Sequence, residues 1–112
     1  MNQNIYHSNG QIAYRASDGM AIHYNNQVAY RKSDGWAFHY NNQVAYRSSD
    51  GWAFHANNQV AYRSDGFSVN ENNEVLSRNG EGLEVELGPD IKMFVGHNIF
   101  KLWVKGNLVV SK

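Results

Sequence analysis

Residues 25–40 read NNQVAYRKSDGWAFHY and residues 41–56 read NNQVAYRSSDGWAFHA, two adjacent copies of one unit. A looser copy, NGQIAYRASDGMAIHY, fills 9–24, and a shortened one, NNQVAYRSDGFSVN, fills 57–70. The copies start at 9, 25, 41 and 57, a period of 16. Beyond about residue 70 the repeat dissolves, and the first eight residues hold only a fragment of it. Near-identity in the middle with divergence at both ends is the pattern of an array with capping units.

Within a unit, Val28 and Tyr30 alternate with Gln27, Ala29 and Arg31, and Trp36, Phe38 and Tyr40 alternate with Ala37 and His39. Period-2 alternation of β-branched and aromatic residues is a strand signal, and no helical spacing competes with it. Ser33-Asp34-Gly35 suits a turn closed by Gly in the left-handed conformation. Asn41-Asn42 suits a turn that needs positive φ, and the equivalent Asn9-Gly10 is the strongest form of that signal. The unit is a β-hairpin and the array an antiparallel meander.

Two registers satisfy these signals. With a three-residue Ser33-Asp34-Gly35 loop, Tyr30 faces Phe38, Val28 faces Tyr40, and the apolar set gathers on one face. With Asn41-Asn42 as a two-residue turn, both faces become mixed and the other loop grows to four residues. Segregation of apolar residues usually decides register and favours the first. The last copy lacks one turn residue, since Arg63 is followed directly by Ser64-Asp65-Gly66-Phe67.

The region 71–112 continues as strands without the repeat. Leu83, Val85 and Leu87 alternate with Glu84 and Glu86, Gly88-Pro89-Asp90 turns the chain, and Ile91 to Val95 follows as a strand. Ile99 to Val104 is apolar on both faces apart from Lys101, which predicts burial on both sides or at an interface. Lys105-Gly106-Asn107 then reverses the chain. The expectation is a single all-β domain over 1–112, with hairpin repeats over 9–70 and capping strands over 71–112. Roughly a dozen short strands with one aromatic face must roll into a barrel, fold over as a sandwich, or pack face to face with another copy, with the C-terminal strands as the natural cover within one chain. A parallel β-solenoid of 16-residue coils is the alternative, but Tyr, Trp and Phe would crowd so narrow an interior.

Composition narrows the function classes. The 112 residues carry ten Lys and Arg against ten Asp and Glu, so the net charge is zero. That disfavours nucleic-acid and anionic-membrane binding, which need a cationic field. No Cys and one Pro exclude a disulfide scaffold and a Cys-ligated metal. Met1-Asn2-Gln3-Asn4 does not read as the start of a signal peptide, and no run approaches the ~18 apolar residues of a membrane helix. A cytoplasmic location is the default expectation. Aromatic residues nevertheless make up 13% of a chain whose mean hydropathy is −0.61.

The repeats place chemistry-bearing residues in rows. His7, His23, His39 and His55 recur, but equivalent residues two strands apart are about 9.5 Å from each other, at ~4.7 Å per strand. Shared ligation needs nitrogens ~2.1 Å from one metal, so the row reads as a solvated polar face, and no metal or cofactor is expected. Arg15, Arg31, Arg47 and Arg63 could engage carboxylate or phosphate groups, but Asp18, Asp34, Asp50 and Asp65 in the adjacent turns nearly cancel them. Trp36 and Trp52, with Met20 and Phe67 in the outer copies, follow the Gly of each turn and could stack on sugar rings. No phosphate loop, nucleophile elbow or zinc-protease motif occurs, and identical hairpins do not converge different groups on one point. His97, Asp90 and Glu86, outside the repeats, are the one set where an active site could still lie.

The segment Tyr30-Arg31-Lys32-Ser33-Asp34-Gly35 resembles the aromatic hairpin repeats of bacterial cell-wall-binding modules, which bind choline or glucan between hairpins. The resemblance covers a few residues per unit. The period here is shorter, the Gly-Trp opening of those repeats is missing, and no site residues transfer.

The expected function is therefore a non-enzymatic scaffold that binds a protein partner or another copy of itself through its repeated face. The alternative is a carbohydrate-binding module using Trp36 and Trp52, with Arg31, Arg47, His39 and His55 as polar contacts.

Overall fold

A computed structural model describes residues 3–112; Met1 and Asn2, part of the N-terminal stretch read above, lie outside the described residues. The described residues form fourteen strands and no helix. In chain order these are β1 (Ile5–Tyr6), β2 (Ile12–Arg15), β3 (Met20–Ile22), β4 (Val28–Arg31), β5 (Trp36–Phe38), β6 (Val44–Arg47) and β7 (Trp52–Phe54). There follow β8 (Val60–Tyr62), β9 (Ser68–Val69), β10 (Val75–Ser77), β11 (Leu83–Gly88), β12 (Ile91–Gly96), β13 (Ile99–Val104) and β14 (Asn107–Ser111). Strands β1 to β10 make one open sheet in sequence order, and β11 to β14 make a second. Every pairing is antiparallel, so the architecture is a hairpin meander and neither a solenoid nor a closed barrel.

The register departs from both sequence solutions and borrows from each. Tyr30 pairs with Ala37 and Arg31 with Trp36, so Lys32 to Gly35 form a four-residue turn. The Gly35 N–H closes it on the Arg31 carbonyl at 2.7 Å, with Gly35 at φ 72°. At the other end Tyr40-Asn41-Asn42 is a three-residue turn: His39 N–H donates to Gln43 O, Asn42 N–H donates to His39 O, and Asn42 sits at φ 72°.

A bulge reconciles the two turns. Phe38 pairs with Val44 but Ala37 pairs with Tyr46, which leaves Ala45 as an extra residue in β6. The same irregularity recurs at Ala13, Ala29 and Ala61. A bulge lets two consecutive side chains share one face, so strict alternation fails once per unit. That failure overturns the apolar segregation expected from the sequence. One face collects Ala29, Tyr30, Ala37 and His39; the other collects Val28, Arg31, Trp36 and Phe38. Ala is required at the bulge because a tyrosine already occupies the neighbouring place on the same face. All four bulge alanines are fully buried.

The second sheet covers the alanine–tyrosine face. Val85, Leu87, Ile91, Met93, Val95, Phe100, Leu102 and Val104 are buried against it. The Phe100 ring stacks on Tyr46 at 4.4 Å and on Tyr30 at 5.5 Å between centroids. The sheets approach tightly at Gly88, where a Cβ would stand 2.9 Å from that of Tyr40 and 3.0 Å from His23 Nδ1. There the Tyr40 N–H donates to Leu87 O at 2.7 Å, a main-chain bond between the sheets. Within the chain strand β13 is buried on one side rather than both. Phe100, Leu102 and Val104 face the core, while Ile99 is exposed and Trp103 is half-buried, with the Lys92 ammonium 5.7 Å from its ring.

Repeat geometry also runs past residue 70. Asn72-Asn73-Glu74-Val75-Leu76-Ser77-Arg78 follows the pattern of Asn41-Asn42-Gln43-Val44-Ala45-Tyr46-Arg47. Asn73 adopts φ 67°, and Asn70 N–H bonds Glu74 O as His39 N–H bonds Gln43 O. Strand β10 is the first half of a fifth, diverged hairpin.

Candidate functional site

The six candidate residues separate onto two faces. Arg31, Trp36, Arg47 and Trp52 lie together on the uncovered face, where Arg31 pairs with Trp36 and Arg47 with Trp52. Each arginine is already satisfied there. Arg31 Nη2 donates to Asp34 Oδ2 at 2.7 Å, and Arg47 Nη2 to Asp50 Oδ2 at 2.6 Å. The guanidinium of Arg31 lies 4.9 Å from the Phe38 ring centre, and that of Arg47 lies 4.9 Å from Phe54 and 5.6 Å from Trp52. The Arg31 hydrogen bond holds the Asp34 carboxyl below its ordinary range, and Arg15 does the same to Asp18. The face is therefore an apolar stripe overlaid by neutralised ion pairs.

His39 and His55 lie on the opposite face, 1% and 6% exposed. The expectation of a solvated histidine row is corrected here: the bulge turns this row towards the second sheet. His39 Nε2 is 2.7 Å from Phe54 O, and His55 Nε2 is 2.7 Å from Val69 O. A carbonyl only accepts, so each Nε2 carries the proton and Nδ1 is left as an acceptor. His7 and His23 make the same bond to Ile22 O and Phe38 O. Burial pushes the His23 and His39 imidazoles below their usual range, partly offset by these carbonyl bonds.

A second ladder runs beside the first. Asn25, Asn41 and Asn57 each donate a side-chain amide to a carbonyl of the next turn, Tyr40, Ala56 and Glu71 respectively. The first Asn of each pair thus links turns, and the second supplies the positive φ. Tyr6 O has no preceding histidine and is met instead by Lys105 Nζ at 3.3 Å. Among the described residues no cluster of His, Asp or Glu could hold a metal ion.

One place breaks the regularity. A Cβ at Gly19 would meet Lys32 of the next turn at 2.7–3.3 Å, and one at Gly35 would meet Ser48 at 2.9 Å. At Gly51 nothing lies within 4 Å, because the following turn, Ser64-Asp65-Gly66, is one residue short. A cleft of about 410 Å³ opens there, bounded on the far side by the β12–β13 turn. Tyr46 and Phe100 supply an aromatic wall, and Ser64, Asp50, His97 and Lys112 supply polar groups. Sequence reasoning noticed the missing residue only as a matter of register, although it was the visible signal for this cleft. His97 lines it, whereas Glu86 and Asp90 line a separate hollow beside Trp103, so these three residues do not form one site.

No family model, no curated protein and no solved structure matches the chain.

Proposed function

We propose that the chain is a non-enzymatic binding scaffold that presents the uncovered face of its ten-stranded sheet to another protein surface, a second copy included. The observation that carries this reading is the recurring half-buried Trp36–Phe38 and Trp52–Phe54 pairs on that face, with Arg31 and Arg47 laid across them. Trp and Arg are the side chains most enriched at the energetic centres of protein interfaces. The Arg–Asp pairs leave the stripe neutral, so shape and apolar contact would dominate recognition. Carbohydrate stacking along the same row has less support. The guanidinium groups already lie over Phe38, Phe54 and Trp52, and His39 and His55 are on the other side of the sheet.

Sedimentation equilibrium over a wide concentration range tests the reading. The wild-type chain is expected to associate, and a Trp36→Ser/Trp52→Ser chain is expected to stay folded and monomeric. A wild-type chain that is strictly monomeric at millimolar concentration overturns self-association.

A further inference from the structure

The cleft at Gly51 lies apart from Trp36 and Phe38 of the outer face and borders Trp52 through Ser64. The other turns of the array stack on one another, and Ser48 even donates its hydroxyl to the carbonyl of Asp34 in the turn before it. The missing residue before Asp65 removes the group that would fill the equivalent space over Gly51. The fold tolerates a four-residue turn at three other hairpins, so nothing in the strands themselves requires the short one.

The groups around this gap differ in kind. Ser64 Oγ lies 3.3 Å from Trp52 Nε1, which can only donate, so the serine hydroxyl keeps its own proton to give. Asp50 is an acceptor whose charge is balanced by Arg47. Tyr62 lines the cleft, and its hydroxyl is enclosed without a partner in the protein. Tyr46 supplies the apolar surface, backed by the buried Phe100 ring stacked against it at 4.4 Å. A cleft of this size, largely preformed and combining an aromatic wall with a few convergent polar groups, fits a small ligand. A cluster for phosphate would need several unpaired cations, and only Lys112 contributes one at the cleft. A ring that is apolar on its face and lined by hydroxyls at its edge matches all of these groups together.

We infer that the cleft between Gly51, Ser64 and Tyr46 binds a monosaccharide-sized polyol, with the ring against Tyr46 and its hydroxyls on Ser64 and Asp50. Backbone amide NMR during titration with glucose, N-acetylglucosamine, galacturonic acid and myo-inositol at millimolar concentration tests this. At least one probe should shift the amides of Gly51, Ser64, His97 and Asn98 and leave those of Trp36 and Phe38 unmoved. Inserting a serine between Ser64 and Asp65 restores the regular turn and should abolish the response in a folded chain. Ser64→Ala, which removes one of the proposed contacts, should weaken it several-fold. No response to any probe overturns the inference, as does a response that survives either the insertion or Ser64→Ala.

Discussion

His39 donates Nε2–H to the carbonyl of Phe54, 2.7 Å away and 15 residues on, and so ties one hairpin turn to the next from inside the molecule. His23 makes the equivalent bond to Phe38. Burial depresses the pKa values of both imidazoles and so favours their neutral form in the folded chain. In the unfolded chain they titrate near pH ~6.5. Above that pH neither state holds the proton and the ladder contributes in full. As the pH falls below it, the unfolded chain takes up protons that the folded chain resists, so stability declines towards the depressed folded values. Thermal unfolding followed from pH 7.5 downwards should show the midpoint dropping below pH ~6.5. A His23→Gln/His39→Gln chain, which keeps a donor but cannot titrate, should show a shallower drop.

Asn42 sits at φ 72°, and Asn26, Asn58 and Asn73 sit within a few degrees of it. The equivalent residue of the first turn is Gly10. Asn42→Gly should therefore be nearly neutral. Asn42→Ala places a Cβ in the left-handed region without a side chain that tolerates it, and should cost about 1 kcal/mol. Urea denaturation of the two variants checks the ordering.

The meander, the two turn chemistries and the covering role of the last four strands were legible because each rests on local signals. Asn9-Gly10 and Ser33-Asp34-Gly35 announce turns, and Leu83, Val85 and Leu87 announce a one-sided strand. The faces were not legible, because alternation was read through Ala29 and Ala45 as though each occupied an ordinary strand position. One extra residue per hairpin exchanges inside for outside, and nothing about an alanine in a strand announces a bulge. The candidate residues divide for that reason: Trp36 and Arg31 lie together, while His39 lies on the other face. The cleft was hidden differently, since a missing residue marks a void only once the stacking of Gly19 on Lys32 and Gly35 on Ser48 is known.

Ala45 is fully buried beside Tyr46, whose ring packs on Phe100. Enlarging it crowds a place where two consecutive side chains already share one face. Ala45→Leu should destabilise the fold by about 1–3 kcal/mol, as overpacking does, despite adding apolar surface. Val44→Leu on the half-buried outer face serves as the comparison and should change stability far less. The sign of the Ala45 effect separates a bulge from a regular strand, where extra apolar volume on an open face would be tolerated.

Lys105 occupies the place that a preceding histidine would take, with its ammonium on the carbonyl of Tyr6. Strand β1 is an edge of the sheet, and edges with free main-chain groups invite pairing with other chains. A lysine there blunts the edge in two ways: it covers one acceptor and sets a charge beside it. The bond is solvent-exposed, so its loss should cost under ~1 kcal/mol of global stability. The local effect should be larger than the global one. In Lys105→Met, amide exchange should quicken at His7, whose N–H closes the first turn on Gln11, while the His39 amide keeps its rate. Lys101→Met controls for the lost charge, since that residue faces outward on β13. Equal exchange at His7 in both variants would remove the capping role from Lys105 and leave it as one more surface charge.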